Sequence, residues 1–158
     1  MALIEEGTCL IDFINKHGLG CGKSHLGLVE VPYTIPGEVI SFERHKYRSQ
    51  SNCLLKTIEK QSAHRITPEC KYFGRCGGCS LQHIDTETYN NFKYGLVKNA
   101  LPDEVIVKPI ITINKGNRRR VNLSAVKRDE QLFLGFYRFH SHQIVDIDSC
   151  PVVMKPIS

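Results

Sequence analysis

Three cysteines lie within ten residues of one another, around a pair of glycines, and this group constrains the chain more than any other feature. Five residues separate Cys70 from Cys76, and Gly77 and Gly78 separate Cys76 from Cys79. Glycine lets the backbone turn tightly, so the three thiolates can converge and backbone amides can approach the sulfur atoms. Packing alone is a poor explanation for this spacing, which therefore predicts metal ligation.

A fourth candidate ligand, Cys150, lies roughly 70 residues further along the chain. Three local thiolates and one remote thiolate suit a cubane iron–sulfur cluster, in which each iron takes one cysteine. Structural zinc more often uses two local Cys-x-x-Cys pairs, and this sequence has one, so the spacing favours iron–sulfur and leaves zinc open. Such a cluster would tie distant segments together, and we expect the metal-free protein to be poorly ordered between about residues 61 and 84.

The other cysteines, Cys9, Cys21 and Cys53, have no ligand spacing, and we interpret them as small buried hydrophobic residues. The total of seven is odd, so a complete disulfide framework cannot use them all. The start of the chain has Glu5 and Glu6 where a secretory signal has basic residues, and no apolar run reaches the roughly 18 residues of a membrane helix. We therefore expect a cytoplasmic chain with no membrane partner.

The hydrophobic pattern predicts a mainly β chain with one or two helices. Short alternating runs separated by turns fill the first 60 residues or so, enough strands for a small antiparallel barrel. The glycine-rich run at 18–22 is expected to be a flexible turn, and Pro36-Gly37 is expected to form a tight turn. Tyr89, Phe92 and Leu96 have helical spacing, and Asp85 or Thr86 can cap this helix. β-Prone residues follow from 105, including the apolar stretch at 105–113. We divide the chain into a barrel (1–62), a cysteine loop (63–84), a helix (85–104) and a second β-rich domain (105–158).

Positive charge is clustered beside aromatic residues, and 21 Lys and Arg against 16 Asp and Glu give a net charge of +5. Guanidinium groups bind phosphate and stack on bases, so these clusters indicate nucleic-acid binding, although any single cluster is more simply a solvated face. The candidates are Arg44, Lys46, Arg48, Arg118, Arg119, Arg120, Arg138 and His142.

No Ser-His-Asp arrangement, phosphate-loop motif or nucleotide-type glycine fingerprint is present in the sequence. His83, close after the cysteines, is interpreted either as a support for a metal ligand or as a structural histidine. The sequence therefore provides no candidate catalytic residue and no candidate site for an organic cofactor.

The run from Cys70 to Ile84, CKYFGRCGGCSLQHI, resembles the signature of iron–sulfur RNA (uracil-5-)-methyltransferases that act on bacterial large-subunit ribosomal RNA. Residues 134–138 and 141–152 are similar to the central domain of that family. Residues 29–39 are similar to its N-terminal TRAM domain, a barrel of the oligonucleotide-binding type. The resemblance covers nearly the whole chain.

The resemblance implies a [4Fe-4S] cluster on Cys70, Cys76, Cys79 and Cys150, and binding of ribosomal RNA through the barrel and central domain. In the family, a further Rossmann-like domain binds S-adenosylmethionine and carries the catalytic cysteine and carboxylate. The sequence to Ser158 has no counterpart of these, so we expect the RNA-recognising part of an rRNA uridine C5-methyltransferase that is not catalytic without a separate or missing methyltransferase domain.

In the family, the helix at 85–104 packs on the catalytic domain, so we expect the face of Tyr89, Phe92 and Leu96 to be partly exposed in this chain. Two other functions stay open at this point. One is a stand-alone iron–sulfur RNA-binding module, and the other is a zinc-stabilised structural or interaction protein.

Overall fold

A computed structural model describes residues 3–47, 50–113 and 115–155. The described chain forms two compact units, the first up to Ile66 and from His83 to Lys108, and the second from Thr67 to Gln82 and from Pro109 onward. Its elements are β1 (Leu3–Leu10), β2 (Phe13–Ile14), β3 (Gly20–Ser24), β4 (Gly27–Val31), β5 (Val39–Tyr47), β6 (Gln50–Lys60), α1 (Thr86–Lys98), β7 (Ser124–Arg128), β8 (Gln131–Tyr137) and β9 (Ile144–Asp146). The prediction of a mainly β chain is confirmed, with a single helix in the described ranges and no Rossmann-like parallel sheet.

The strands of the first unit form two antiparallel three-stranded sheets, ordered β1-β5-β6 and β2-β3-β4. Both sheets contribute to one apolar core. Its buried members are Cys9, Ile11, Val29, Val31, Ile40 and Phe42. The expected barrel is not closed, because no ladder among the described residues joins one sheet to the other.

Glycine allows β1 and β3 to cross at close range. A Cβ on Gly22 would lie 2.1 Å from the carbonyl oxygen of Leu10, and one on Gly20 would lie 2.1 Å from Oγ1 of Thr34. The flexible turn expected at 18–22 is therefore wrong for residues 20–22, which belong to a strand. The glycines are there for close approach of the chain as well as for conformational freedom.

A buried ion pair fixes the segment after β6 to the turn before β5. The Glu38 carboxylate is fully buried, and its Oε2 accepts hydrogen bonds from Arg65 Nη2 at 2.9 Å and from the Ile35 amide at 3.0 Å. Arg65 Nε also donates to this carboxylate, and Nη2 donates to the Tyr33 carbonyl at 2.7 Å. The predicted turn at Pro36 and Gly37 is confirmed, with Gly37 at φ 85°.

His83 is fully buried in the same unit. Burial lowers the pKa of His83 from its usual 6.5 to about 4, and the charge of Arg65 acts in the same direction, while Thr34 and Glu38 oppose it. The imidazole is therefore neutral at pH 7. Because His83 is buried in the first unit and does not line the cavity of the cysteines, the structural interpretation of this histidine is favoured.

Helix α1 begins at the predicted position, because the Asp85 side chain caps it by accepting a hydrogen bond from the Thr88 amide at 2.7 Å. It ends at Lys98, earlier than predicted, because the chain turns at Asn99 before Pro102 is reached. Tyr89, Phe92 and Leu96 are partly exposed, as expected, and no residue of the helix is buried. No helix in the described ranges has the length and apolar character needed to cross a membrane.

The second unit contains the antiparallel sheet β7-β8-β9. The stretch at 105–113 was expected to be β-prone, but it forms no strand, and Ile106 and Ile111 are 91% and 90% exposed. The preference of these residues for β structure is not enough to form a strand, because a strand also needs the edge of a neighbouring strand with which to pair.

Replacing Gly22 with alanine is expected to destabilise the first unit by about 2–3 kcal/mol, because the new methyl group overlaps a backbone oxygen that cannot rotate away. Gly95→Ala is the control, since it lies in α1 with open space around it and should stabilise the helix by about 0.5–1 kcal/mol. Urea unfolding measures both changes. Equal effects of the two substitutions would contradict the close crossing of β1 and β3.

The stability of the first unit is expected to fall as the pH is lowered from about 6.5 to about 4. In this window the unfolded chain protonates His83 and the folded chain does not, so acid favours unfolding by up to about 3 kcal/mol. Urea unfolding at several pH values should show a smaller slope for His83→Asn than for the wild type. His17→Asn, at an exposed position, should keep the wild-type slope; the same slope in all three chains would refute the assignment.

Candidate metal centre

All four predicted cysteine ligands line one cavity in the second unit. Cys70, Cys76 and Cys79 come from the loop, and Cys150 comes from the segment that follows β9. The cavity has a volume of about 450 Å³, including space open to solvent. Most of the other lining side chains are apolar, namely Tyr72, Phe73, Phe136, Ile147, Val152 and Val153, and the polar ones are Gln82, Arg118 and Ser149.

The four thiols share this cavity without forming a compact set of ligands. Among the described residues, no group of three or more His, Cys, Asp or Glu side chains is arranged to hold a metal ion. A single zinc ion requires four donors close together around one point. A cubane cluster requires donors spread around a larger core, because each cysteine binds a different iron.

The cysteine loop folds through its own backbone hydrogen bonds. The Cys70 carbonyl accepts from the Phe73 amide at 3.0 Å, and the Tyr72 carbonyl accepts from the Cys76 amide at 2.8 Å. Gly74 adopts φ 83°, a conformation that favours glycine. The three local thiols therefore approach one another because the chain makes consecutive tight turns.

Gly77 and Gly78 have different roles. The Gly77 amide donates to the Tyr137 carbonyl at 2.9 Å, and a Cβ on Gly77 would lie 2.7 Å from that oxygen, so only glycine lets the loop lie against the end of β8. The Gly78 amide donates to Cys76 Sγ at 3.4 Å. The Gly78 contact agrees with the predicted approach of backbone amides to sulfur, whereas the contact of Gly77 with β8 was not predicted from the sequence.

Contacts between side chains and backbone hold the segment of Cys150 near the loop. Lys71 Nζ lies 2.5 Å from Asp148 Oδ2, and the Asp148 amide donates to the Tyr72 hydroxyl at 3.2 Å. Hydrogen bonds from Lys71, Ser149 and Tyr72 lower the pKa of Asp148 to about 2. On the other side, the Arg118 amide donates to the Val152 carbonyl at 3.2 Å. These partners of the cysteine segments were not predicted from the sequence.

Two of the cavity thiols are held in the protonated form. Burial raises the pKa of Cys76 and of Cys79, and the neighbouring cysteines add to this effect. The Gly78 amide opposes it at Cys76, while the side chains of Gln82 and Arg118 oppose it at Cys79. A metal bound by these thiols would displace protons, so its affinity would fall as the pH is lowered.

The remaining cysteines, which the sequence predicted to be buried packing residues, lie in the first unit. Cys9 and Cys21 are buried and Cys53 is partly buried. Burial is the main cause of the raised pKa of each of these three thiols. A protonated thiol is a poor nucleophile, so none of the three has the environment of a reactive cysteine.

The basic residues predicted for RNA binding differ in their surroundings. Arg44 is largely buried, donating to Glu5 at 2.8 Å and to the Leu26 carbonyl at 2.7 Å, and Lys46 lies 3.0 Å from the same Glu5. Both side chains therefore have partners in the first unit, while Arg48 lies outside the described residues.

The other candidates lie in the second unit and are exposed, namely Arg118, Arg119, Arg120, Arg138 and His142. The ring of His142 stands edge-on to Tyr137 with centroids 6.3 Å apart. Arg118 also lines the cysteine cavity, a position that its assignment to RNA binding did not anticipate.

Comparison with known proteins adds evidence of a different kind. No protein-family model matches the chain. The chain is 38% identical to a protein of Brucella suis biovar 1 named as an RNA methyltransferase, over 99% of the chain and 38% of that protein. It is 35% identical to one of Rhizobium meliloti so named, over 98% of the chain and 38% of that protein. It is also 32% identical to the 23S rRNA (uracil(1939)-C(5))-methyltransferase RlmD of Halomonas elongata, over 82% of the chain and 28% of that protein.

The chain is a homologue of these RNA methyltransferases over part of their length. The family resemblance expected from the cysteine signature is thereby confirmed. The chain spans less than two fifths of the length of these three relatives. The activity and substrate of the full-length relatives are therefore only a proposal for this chain.

Proposed function

We propose that the chain is the RNA-recognition and [4Fe-4S] portion of an S-adenosylmethionine-dependent rRNA uridine C5-methyltransferase. The observation that carries this proposal is the shared cavity of Cys70, Cys76, Cys79 and Cys150 in a homologue of RNA methyltransferases. Three thiols adjacent in sequence and one remote thiol line this cavity within a single compact unit.

The residues present fit an iron–sulfur cluster. The potential ligands lining the cavity are thiols, with no carboxylate and no imidazole among the lining residues. Thiolate is the usual ligand of iron in such clusters, and apolar walls protect the cluster from solvent. When bound, the cluster supplies four iron–thiolate bonds that crosslink the loop to the segment of Cys150.

RNA binding is proposed to centre on the second unit. Arg119 and Arg120 are exposed and follow Arg118, whose backbone is hydrogen bonded to the segment after Cys150. Arg138 is also exposed and follows Tyr137 in sequence, and the rings of Tyr137 and His142 lie edge-on to each other. Guanidinium groups offer phosphate contacts, and aromatic rings offer surfaces for stacking. Because the basic run and Cys150 are joined in this way, holding Cys150 in the cavity also orients the basic run.

We further propose that the chain does not transfer a methyl group by itself. C5 methylation of uridine needs a cysteine nucleophile at C6 and a bound methyl donor. Four of the seven cysteines are assigned to the cluster, and the others are thiols whose pKa is raised. The proposed partner is therefore a methyltransferase domain like the remainder of the relatives.

Iron and sulfide supplied under anaerobic conditions are expected to give a brown protein with about four irons and about four sulfides per chain. Cys79→Ser and Cys150→Ser should each lose most of this iron and the visible absorbance. Cys53→Ser is the matched control, because it changes a partly buried thiol of the first unit and should retain the full content. A wild-type chain purified under anaerobic conditions that holds one zinc ion and takes up no iron would contradict the proposal.

Arg119→Gln and Arg120→Gln are expected to weaken binding to a hairpin of large-subunit rRNA, and each should reduce the slope of log affinity against log salt by about one. Fluorescence anisotropy at several salt concentrations measures this. Lys23→Gln removes the same charge from an exposed position of the first unit and should leave both quantities unchanged. An equal loss for all three substitutions would mean that only net charge matters and that the second unit does not form the interface.

A further inference from the structure

A glutamine in the cysteine loop has one amide atom hydrogen bonded and the other buried without a partner. Gln82 lines the same cavity as the four cysteines. Its Oε1 accepts a hydrogen bond from the Cys70 amide at 3.4 Å. Its Nε2 is buried and has no hydrogen-bond partner within the described part of the chain. A buried donor without an acceptor is costly, and such atoms are uncommon in folded proteins.

The hydrogen bond with Cys70 fixes which way the amide faces. A backbone N–H needs an acceptor, so the oxygen of the amide must lie towards Cys70 and the nitrogen on the opposite side. The Gln82 side chain acts as a donor that lowers the pKa of the Cys79 thiol, three residues earlier in the loop, in a geometry short of a full hydrogen bond. A neutral thiol is a weak acceptor, whereas a thiolate bound to iron carries negative charge and accepts N–H groups well.

We propose that Gln82 is a positioning residue for the cluster and that its Nε2 donates a hydrogen bond to the Cys79 sulfur when that sulfur is bound to iron. This inference rests on the proposed function, since it needs a cluster on the four cysteines. The buried donor then completes its hydrogen bond in the loaded protein, where the sulfur is a stronger acceptor, and this difference favours loading.

A hydrogen bond from Gln82 would change the reduction potential of the cluster. Hydrogen bonds to cluster sulfurs are among the factors that set the reduction potential, because they stabilise the more negative, reduced cluster. Loss of the Gln82 donor should therefore lower the potential and make the cluster easier to remove. A residue that only fills space would change neither quantity when it is replaced by a side chain of similar length.

Two substitutions distinguish a Gln82 side chain that donates a hydrogen bond to the cluster from one that only fills space. Gln82→Met is neutral and similar in length, and it removes the donor together with the acceptor. Gln82→Glu keeps an oxygen for the Cys70 amide, and it lacks the donor. Gln61→Met is the matched control, because Gln61 is an exposed residue of the first unit.

The experiment loads each full chain with iron and sulfide under anaerobic conditions. Iron and sulfide content, the reduction potential from a titration followed by electron paramagnetic resonance, and the rate of iron loss to a chelator are then measured. We expect full loading of all chains, with the one-electron equilibrium for reduction about tenfold less favourable in Gln82→Met, or about 59 mV. Gln82→Glu should lie lower still, since it adds a negative charge, and both variants should lose iron about tenfold faster than Gln61→Met.

Several outcomes would overturn the inference. A wild-type potential and a wild-type rate of iron loss in Gln82→Met would mean that Gln82 only packs. A wild-type potential in Gln82→Glu would exclude a role for the donor as well. Failure of the wild-type chain to form any cluster is a different result, because it refutes the proposed function itself.

The wild-type chain provides a measurement that does not depend on the folding of the variants. With glutamine labelled at the side-chain nitrogen, loading should shift or broaden the Gln82 amide resonance and slow its exchange with solvent, while the Gln61 resonance stays unchanged. A Gln82 amide that keeps its resonance and its exchange rate in the loaded protein would overturn the inference even if neither variant folds.

Discussion

The contact between the cysteine loop and the end of β8 is the constraint on which the second unit depends. Gly77 has no side chain, so its amide reaches the Tyr137 carbonyl, and this brings the neighbouring Cys76 and Cys79 to the wall formed by Phe136. The other end of the loop is joined to the segment of Cys150 through the side chains that meet at Asp148. Once both ends are fixed, thiols far apart in sequence line one cavity.

The first unit also depends on a polar contact between segments that are distant in the sequence. Its two sheets share a small core, and no ladder in the described ranges joins them. A polar contact between the buried carboxylate of Glu38 and the guanidinium of Arg65 joins distant segments instead. Removing either partner would leave a buried group unsatisfied, which costs more than the intact pair contributes. The neutral His83 fits beside this pair because protonation would add a second positive charge next to Arg65. In a chain of 158 residues, such contacts supplement limited apolar burial.

The sequence predicted those features of the structure that depend only on neighbouring residues. The cap at Asp85, the turn at Gly37 and the ligand spacing around Gly77 each follow from neighbouring residues. The strand at 20–24 was missed because glycine content indicates flexibility unless the close crossing of another strand is known. The stretch at 105–113 was assigned to β structure from the preferences of its residues. That assignment failed because such preferences do not show whether the edge of a neighbouring strand is available for pairing.

Some residues of the candidate site could likewise be predicted from the sequence, and others could not. The four cysteines are recognisable from spacing, whereas nothing in the sequence marks Gln82, since its role depends on the fold around it. Burial makes ionised thiolates unfavourable in the cavity, and each neighbouring thiolate would increase the repulsion. A cavity of this kind is stable either with protonated thiols or with a positively charged metal core. The Gly78 amide already faces Cys76 Sγ, and a Gln82 amide directed at Cys79 would favour the second state, because both donors stabilise charge on sulfur.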